Sequence, residues 1–98
     1  MTTVTKKDVA KRTAKALNEK IYTTEKFVDS IFTVLREILS EADPEIRIEI
    51  RDFGVFEVKP TKAKPKARNP RTNEVIYVPP RKKTHFKPGI IIKAALKK

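Results

Sequence analysis

The chain has no cysteine, one histidine, two glycines and no apolar run near bilayer length. Without cysteine there is no disulfide framework and no thiolate metal site. One histidine cannot build a histidine cluster. No cofactor, metal or small-molecule substrate is therefore expected. No nucleophile stands with a base, and no phosphate loop or metal spacing occurs, so an enzyme is the discarded class. Residues Met1 to Asp8 are polar and contain no apolar signal segment. No stretch approaches the roughly 20 apolar residues that span a membrane. The expectation is a soluble cytoplasmic protein of one small domain, with a core modest enough to make oligomerisation useful.

The second half is also poor in acid. Residues 1–50 carry nine basic and nine acidic side chains, whereas residues 51–98 carry 14 basic and three acidic, which makes up the whole net charge of +11. Between Lys59 and Lys87 ten basic residues face a single acid, Glu74. Such a surface attracts a polyanion, because phosphate contacts release condensed counterions with little regard for sequence. The neutral half reads as scaffold and the basic half as the working part.

Periodicity places the elements. Thr5 and Asp8 form a capping box before a helix with Val9, Thr13, Ala16 and Leu17 at helical spacing, fraying near Asn18. Thr23 or Thr24 is the expected cap of a second helix, with Glu25 in its first turn. Val28, Ile31, Phe32, Leu35, Ile38 and Leu39 repeat at three and four residues, and Phe27 and Val34 widen that face. One short helix cannot cover it, which suggests a second subunit. Asp43-Pro44 ends the element. At Ile46 the period becomes two: Ile46, Ile48 and Ile50 alternate with Arg47, Glu49 and Arg51. Phe56 and Val58 continue in a second strand, after a turn or bulge expected at Gly54. His85-Phe86-Lys87 reads as a short strand. Pro88-Gly89 opens a last helix from Ile90 to Lys98, with Ile91, Ala94 and Ala95 or Leu96 inward and Lys97 and Lys98 at its negative end.

Lys62, Lys64, Lys66 and Arg68 recur at every second position. In an extended strand they share one face, and Ala63, Pro65 and Ala67 share the other. Pro60 and Pro65 cannot donate to a ladder, so the strand has a free edge. Arg68 to Asn73 is a turn by composition. Val75 to Val78 returns as a strand, and Pro79-Pro80 leads into Arg81-Lys82-Lys83. The whole is a hairpin projecting beyond the core.

With Phe53-Gly-Val-Phe, Ala67-Arg68-Asn69-Pro70-Arg71-Thr72 and Phe86-Lys87-Pro88-Gly89 in this order, the chain resembles the HU / integration host factor family of bacterial histone-like DNA-binding proteins, over nearly its whole length. The resemblance implies an α+β fold: two N-terminal helices, a three-stranded antiparallel sheet with a long β-ribbon arm, a short C-terminal helix, and an intertwined dimer. Residues 1–44 would be the helical dimerisation body, 45–89 the sheet with its arm at about 60–80, and 90–98 the last helix, all one domain. It implies an architectural, nucleoid-associated protein that holds double-stranded DNA in the minor groove with little sequence specificity and bends it. Pro70 would wedge between base pairs. Arg68, Asn69, Arg71 and Thr72 would touch sugar, phosphate and base edges. Lys59, Lys62, Lys64, Lys66, Arg81, Lys82, Lys83 and Lys87 would carry the rest of the DNA contact. The partner would be a second copy, or a paralogous chain, since this group includes heterodimers.

Three departures stand out. Asn73 replaces the usual glycine, Asp52 replaces a small residue, and the outgoing arm strand has one extra residue and Pro65, which implies a bulge or a stiffened arm. Lys6 and Asp29 match positions that pair on the body of some relatives, an exposed contact of little weight. Other classes fit less well. A solvated tail would not need the turn or the Val75–Val78 strand. A single-strand binder would need aromatics on the basic face, where only Tyr77 is available, and Phe53 and Phe56 alternate as core. A membrane-surface protein would carry its charge on an amphipathic helix rather than on strands.

Overall fold

The computed structural model describes residues 1–62 and 64–97, without the side chains of residues 64–67 and 78. The expected positions of Ala63 and Lys98 lie outside the described residues, as does the facing of the Lys64, Pro65, Lys66 and Ala67 side chains. The chain falls into two units, Met1–Ser40 and Glu41–Lys98.

The first unit is a helix pair. Helix α1 spans Lys6–Leu17 and starts with the expected box. The Asp8 amide donates to Thr5 Oγ1 at 3.3 Å, and the Thr5 amide donates to Asp8 Oδ2 at 2.9 Å. It stops at Asn18, which takes a left-handed conformation with φ 54°, a position where asparagine costs little. Helix α2 spans Ile21–Ser40 and begins earlier than the expected threonine cap. Thr24 is an interior residue: its hydroxyl and its amide both donate to the Lys20 carbonyl, at 3.0 and 3.1 Å. Threonine can satisfy its hydroxyl this way inside a helix, so its presence does not mark a start. Glu25 consequently lies beyond the first turn.

The seam between these helices is made of small side chains. Ala10 and Ala14 are buried, with Thr24 and Val28 on α2. Alanine lets two helix backbones approach closely, and that approach decides which stripe is inside. The expected stripe is displaced as a result: Val9 and Thr13 are half-buried, while Ala16 and Leu17 are exposed. Lys6 and Asp29 pair across the helices, and the lysine's hydrogen bond holds the Asp29 carboxyl below its ordinary pKa. On α2, Phe27, Ile31, Phe32 and Val34 remain exposed at 42–65%.

The second unit is a three-stranded antiparallel sheet of β1 (Ile46–Ile50), β2 (Gly54–Pro60) and β5 (Lys82–Pro88), in the order β1-β2-β5. Ile48, Phe56 and Phe86 align across the strands, as do Ile46, Val58 and Thr84. The Phe53, Phe56 and Phe86 rings cluster with centroids 4.7–6.3 Å apart. The rings form one hydrophobic cluster, but Phe53 is 43% exposed and Phe56 and Phe86 are half-buried, so the core role expected of Phe53 is not reached within this chain.

Two turn details differ from expectation. The left-handed residue between β1 and β2 is Asp52, with φ 64°, and neither glycine has a positive φ. Gly54 is instead required by proximity: a Cβ there would lie 2.5 Å from the Lys87 carbonyl oxygen and 2.8 Å from the Phe86 ring. Strand β5 is also longer than His85–Lys87, because β2 pairs with it from Gly54–Pro88 to Pro60–Lys82. Lys82 and Lys83 therefore sit in a strand rather than in a loose basic run.

Strands β3 (Lys64–Arg68) and β4 (Val75–Val78) form a separate two-stranded ribbon. Helix α3 spans Ile90–Leu96. The inward positions expected for Ile91, Ala94, Ala95 and Leu96 are not realised: no residue of α3 is buried, and Ile91 and Leu96 are 57% and 76% exposed. Among the described residues, Ile92 alone of this helix is half-buried.

Candidate nucleic-acid interface

The basic residues fall at three levels: the outer face of the sheet, the root of the ribbon, and its tip. Alternation in β2 and β5 separates the first from the core. Phe56, Val58 and Phe86 take one face, and Glu57, Lys59, Lys83, His85 and Lys87 take the other.

At the centre of that outer face lies a residue that sequence reasoning passed over. Glu57 is buried, at 7% exposure. Its Oε1 meets Lys87 Nζ at 2.8 Å and its Oε2 meets Lys59 Nζ at 3.2 Å. The hydrogen bonds from Lys87 and then Lys59 pull its carboxyl down to about 2. Two of the expected DNA contacts are thus already ion-paired within the protein. The neighbours of Glu57 across the sheet are Arg47 and His85, a pairing that only the register reveals. His85 lines the depression above Glu57 together with Lys59, Thr61 and Lys83.

At the root, Thr61 clamps the two crossing segments. Its amide donates to the Arg81 carbonyl at 2.6 Å, and its hydroxyl contacts the same carbonyl at 2.9 Å. The Arg81 amide donates to that hydroxyl at 3.2 Å. This joins the last sheet pair, Pro60–Lys82, to the first ribbon pair, Lys64–Val78. Lys82 donates to the Ala42 carbonyl. Lys62, Arg81 and Lys83 are exposed.

Along the ribbon the strict alternation fails. Lys64 stands opposite Val78, but Ala67 stands opposite Ile76 and Arg68 opposite Val75, so β3 holds one more residue than β4 over that interval. The extra residue falls at Pro65-Lys66, where proline has no N–H for the ladder and a bulge removes the need for one. The regular two-residue pairing behind the expected shared face of Lys62, Lys64, Lys66 and Arg68 is therefore interrupted between Lys64 and Ala67.

The tip is a hydrogen-bonded turn. The Asn69 amide donates to the Glu74 carbonyl at 2.8 Å, and the Asn73 amide donates to the Asn69 carbonyl at 2.7 Å. Asn69 Oδ1 accepts from the Arg71 amide at 2.9 Å, an Asx turn that fixes the backbone around Pro70. Asn73 has φ 59°, the conformation a glycine would supply, and its Oδ1 accepts from Arg68 Nη1 at 3.2 Å. Pro70, Arg71 and Thr72 are exposed and Asn69 is half-buried. The tip therefore presents a rigid, exposed apolar ring, with the basic Arg68 and Arg71 close to it in sequence.

Among the described residues no group of three potential metal ligands occurs. No described helix is long and apolar enough to cross a membrane.

The family described as "Bacterial DNA-binding protein" matches residues 4–97. The DNA-binding protein HU of Thermotoga maritima is 34% identical over 94 residues, covering 96% of this chain and all of that protein. The DNA-binding protein HTa of Thermoplasma acidophilum is 38% identical over 81 residues, covering 82% of this chain and 89% of that protein. Among solved structures, Anabaena HU in a DNA cocrystal matches with a TM-score of 0.78 at 21% identity, covering 96% of this chain and 98% of that one. At that identity the structural likeness speaks for the fold.

Proposed function

The chain belongs to the bacterial DNA-binding protein family that includes HU, and from that membership we propose that it is an architectural protein that binds duplex DNA through its basic ribbon. The role is binding and bending, not catalysis, and its place in the cell is the nucleoid. The observation that carries this reading is the tip, where exposed Pro70 sits on a hydrogen-bonded turn between Arg68 and Arg71.

Arg68, Asn69, Arg71 and Thr72 engage the minor groove around Pro70. Lys62, Lys64, Lys66 and Arg81 follow the backbone towards the sheet, where Lys59, Lys82, Lys83 and Lys87 lie. Because the contacts are mainly to phosphate, affinity is high at low salt and nearly independent of sequence. The Pro70 ring enters a base step and unstacks it, at a cost of a few kcal/mol offset by the contacts that bent DNA permits.

The working unit is a dimer. Exposed Phe27, Ile31, Phe32 and Val34 on α2, and Ile91 and Leu96 on α3, support this. An isologous partner would bury them and place two ribbons on one duplex.

Pro70→Ala tests the wedge. On nicked or pre-bent duplex the variant should keep much of its affinity, because unstacking there is cheap. On intact linear duplex it should lose more affinity and bend the DNA less, as read by end-to-end energy transfer at one salt concentration. Undiminished bending of linear DNA would reduce Pro70 to a turn residue.

A further inference from the structure

Glu57 is out of place for a protein that binds a polyanion. It lies on the polar side of the sheet, opposite the phenylalanine cluster, in the half of the chain that carries the net positive charge. It is not a spare surface charge, since only 10% of its side chain is exposed. Each oxygen of its carboxylate is taken by a different lysine, at 2.8 Å from Lys87 and 3.2 Å from Lys59. Arg47, its cross-strand neighbour on β1, is turned to Glu49 at 3.2 Å and does not compete.

We propose that Glu57 is an internal counter-ion that holds Lys59 and Lys87 back from phosphate, so that the middle of the sheet face contributes little to duplex binding and the ribbon dominates. This rests on the reading of the basic surface as a duplex-binding one. The lysine side chains are 61% and 58% exposed and could reach outward. Doing so would strip Glu57 of both its donors and leave its carboxylate facing the phosphates, where like charges repel. Phosphate must therefore replace Glu57 as partner while Glu57 loses both of its own. The exchange is close to even, whereas an exposed lysine with no carboxylate gains counterion release outright. Glu57 thus lowers affinity and weakens its salt dependence, and leaves engagement weighted towards Pro70 and its arginines.

Glu57→Gln keeps the shape and removes the charge. With two lysines released per chain, the slope of log affinity against log salt should steepen by about 1.8. Between 50 and 200 mM salt the loss of affinity should then grow by about 12-fold per chain engaged. The variant should also bind linear duplex more tightly at the lower salt. Adding Lys59→Gln and Lys87→Gln to it should return the slope to that of the parent. In the parent, Lys59→Gln alone, which leaves Glu57 paired with Lys87, should change affinity far less than Arg71→Gln does. An unchanged slope in folded Glu57→Gln would overturn the proposal. So would a loss from Lys59→Gln, in the parent, as large as that from Arg71→Gln. If circular dichroism shows Glu57→Gln unfolded, Lys59→Gln in the parent decides alone. A parent that does not bind duplex even at low salt refutes the duplex-binding reading itself, a result seen before any variant is made.

Discussion

Replacing Gly54 with alanine separates two effects of opposite sign. Gly54 has no positive φ, so alanine can adopt its backbone conformation. If conformation were the whole matter, the change would stabilise the fold by about 0.4–1 kcal/mol through the unfolded chain. Space argues the other way. The new methyl would sit 2.5 Å from the Lys87 carbonyl oxygen and 2.8 Å from two Phe86 ring carbons. The carbonyl is backbone and cannot rotate away. Strands β2 and β5 must separate by several tenths of an ångström at the Gly54–Pro88 pair, beside the 2.8 Å bond from the Gly89 amide to the Phe53 carbonyl. Overpacking of this kind costs about 1–3 kcal/mol, which exceeds the entropic gain over most of its range. A net loss near 1 kcal/mol lowers the midpoint of thermal unfolding by about 4–8 °C. Circular dichroism at fixed protein concentration reads it, since the stability of the proposed dimer would depend on concentration. Gly89→Ala is the companion variant: its methyl would lie 3.1 Å from the Phe53 carbonyl oxygen, a gentler contact, and should cost less. A Gly54→Ala midpoint equal to or above that of the parent would refute the close-approach argument.

Lysine at Phe27 and Ile31, both more than half exposed in one chain, should convert a dimer to a monomer in sedimentation at micromolar concentration. A parent that already sediments as a well-folded monomer would contradict the proposed assembly. Thr5→Ala removes the hydroxyl that accepts from the Asp8 amide and should cost about 1 kcal/mol in urea unfolding. An effect near zero would mean that the box does not hold α1. Glu57 should add an acid-labile component to stability. Its carboxyl is held at about 2 in the fold, against an ordinary 4.5, so the folded state favours the charged form. That contribution is complete above the ordinary value and fades as pH falls towards 2. The parent should therefore lose stability over this window more steeply than Glu57→Gln, and parallel curves would show that the lysine pairing does not stabilise the fold.

Much of this protein was legible from residue order because the physics involved is local. The Thr5–Asp8 box, the alternating isoleucines of β1 and the turn chemistry from Arg68 to Asn73 each depend on residues a few positions apart. Proline's missing N–H and the left-handed tolerance of Asn73 are properties of single residues. The charge asymmetry, and the motifs that carry the family resemblance, are also read directly along the chain.

What the sequence left open depends on partners distant in the chain. Which stripe of α1 is buried turns on how closely α2 approaches, and the small Ala10 and Ala14 win over Ala16 and Leu17. The need for glycine at 54 arises from a carbonyl more than thirty residues away, and not from its own dihedral angles. The length of β5 follows from the whole of β2 lying beside it. The bulge at Pro65-Lys66 exists only relative to the register of β4, and it interrupts the regular pairing of the arm between Lys64 and Ala67. Glu57 reads as one polar residue in an alternating strand until β5 brings Lys87 against it. Periodicity fixes where a side chain points along its own element, but burial and charge pairing are set by what the rest of the chain places opposite.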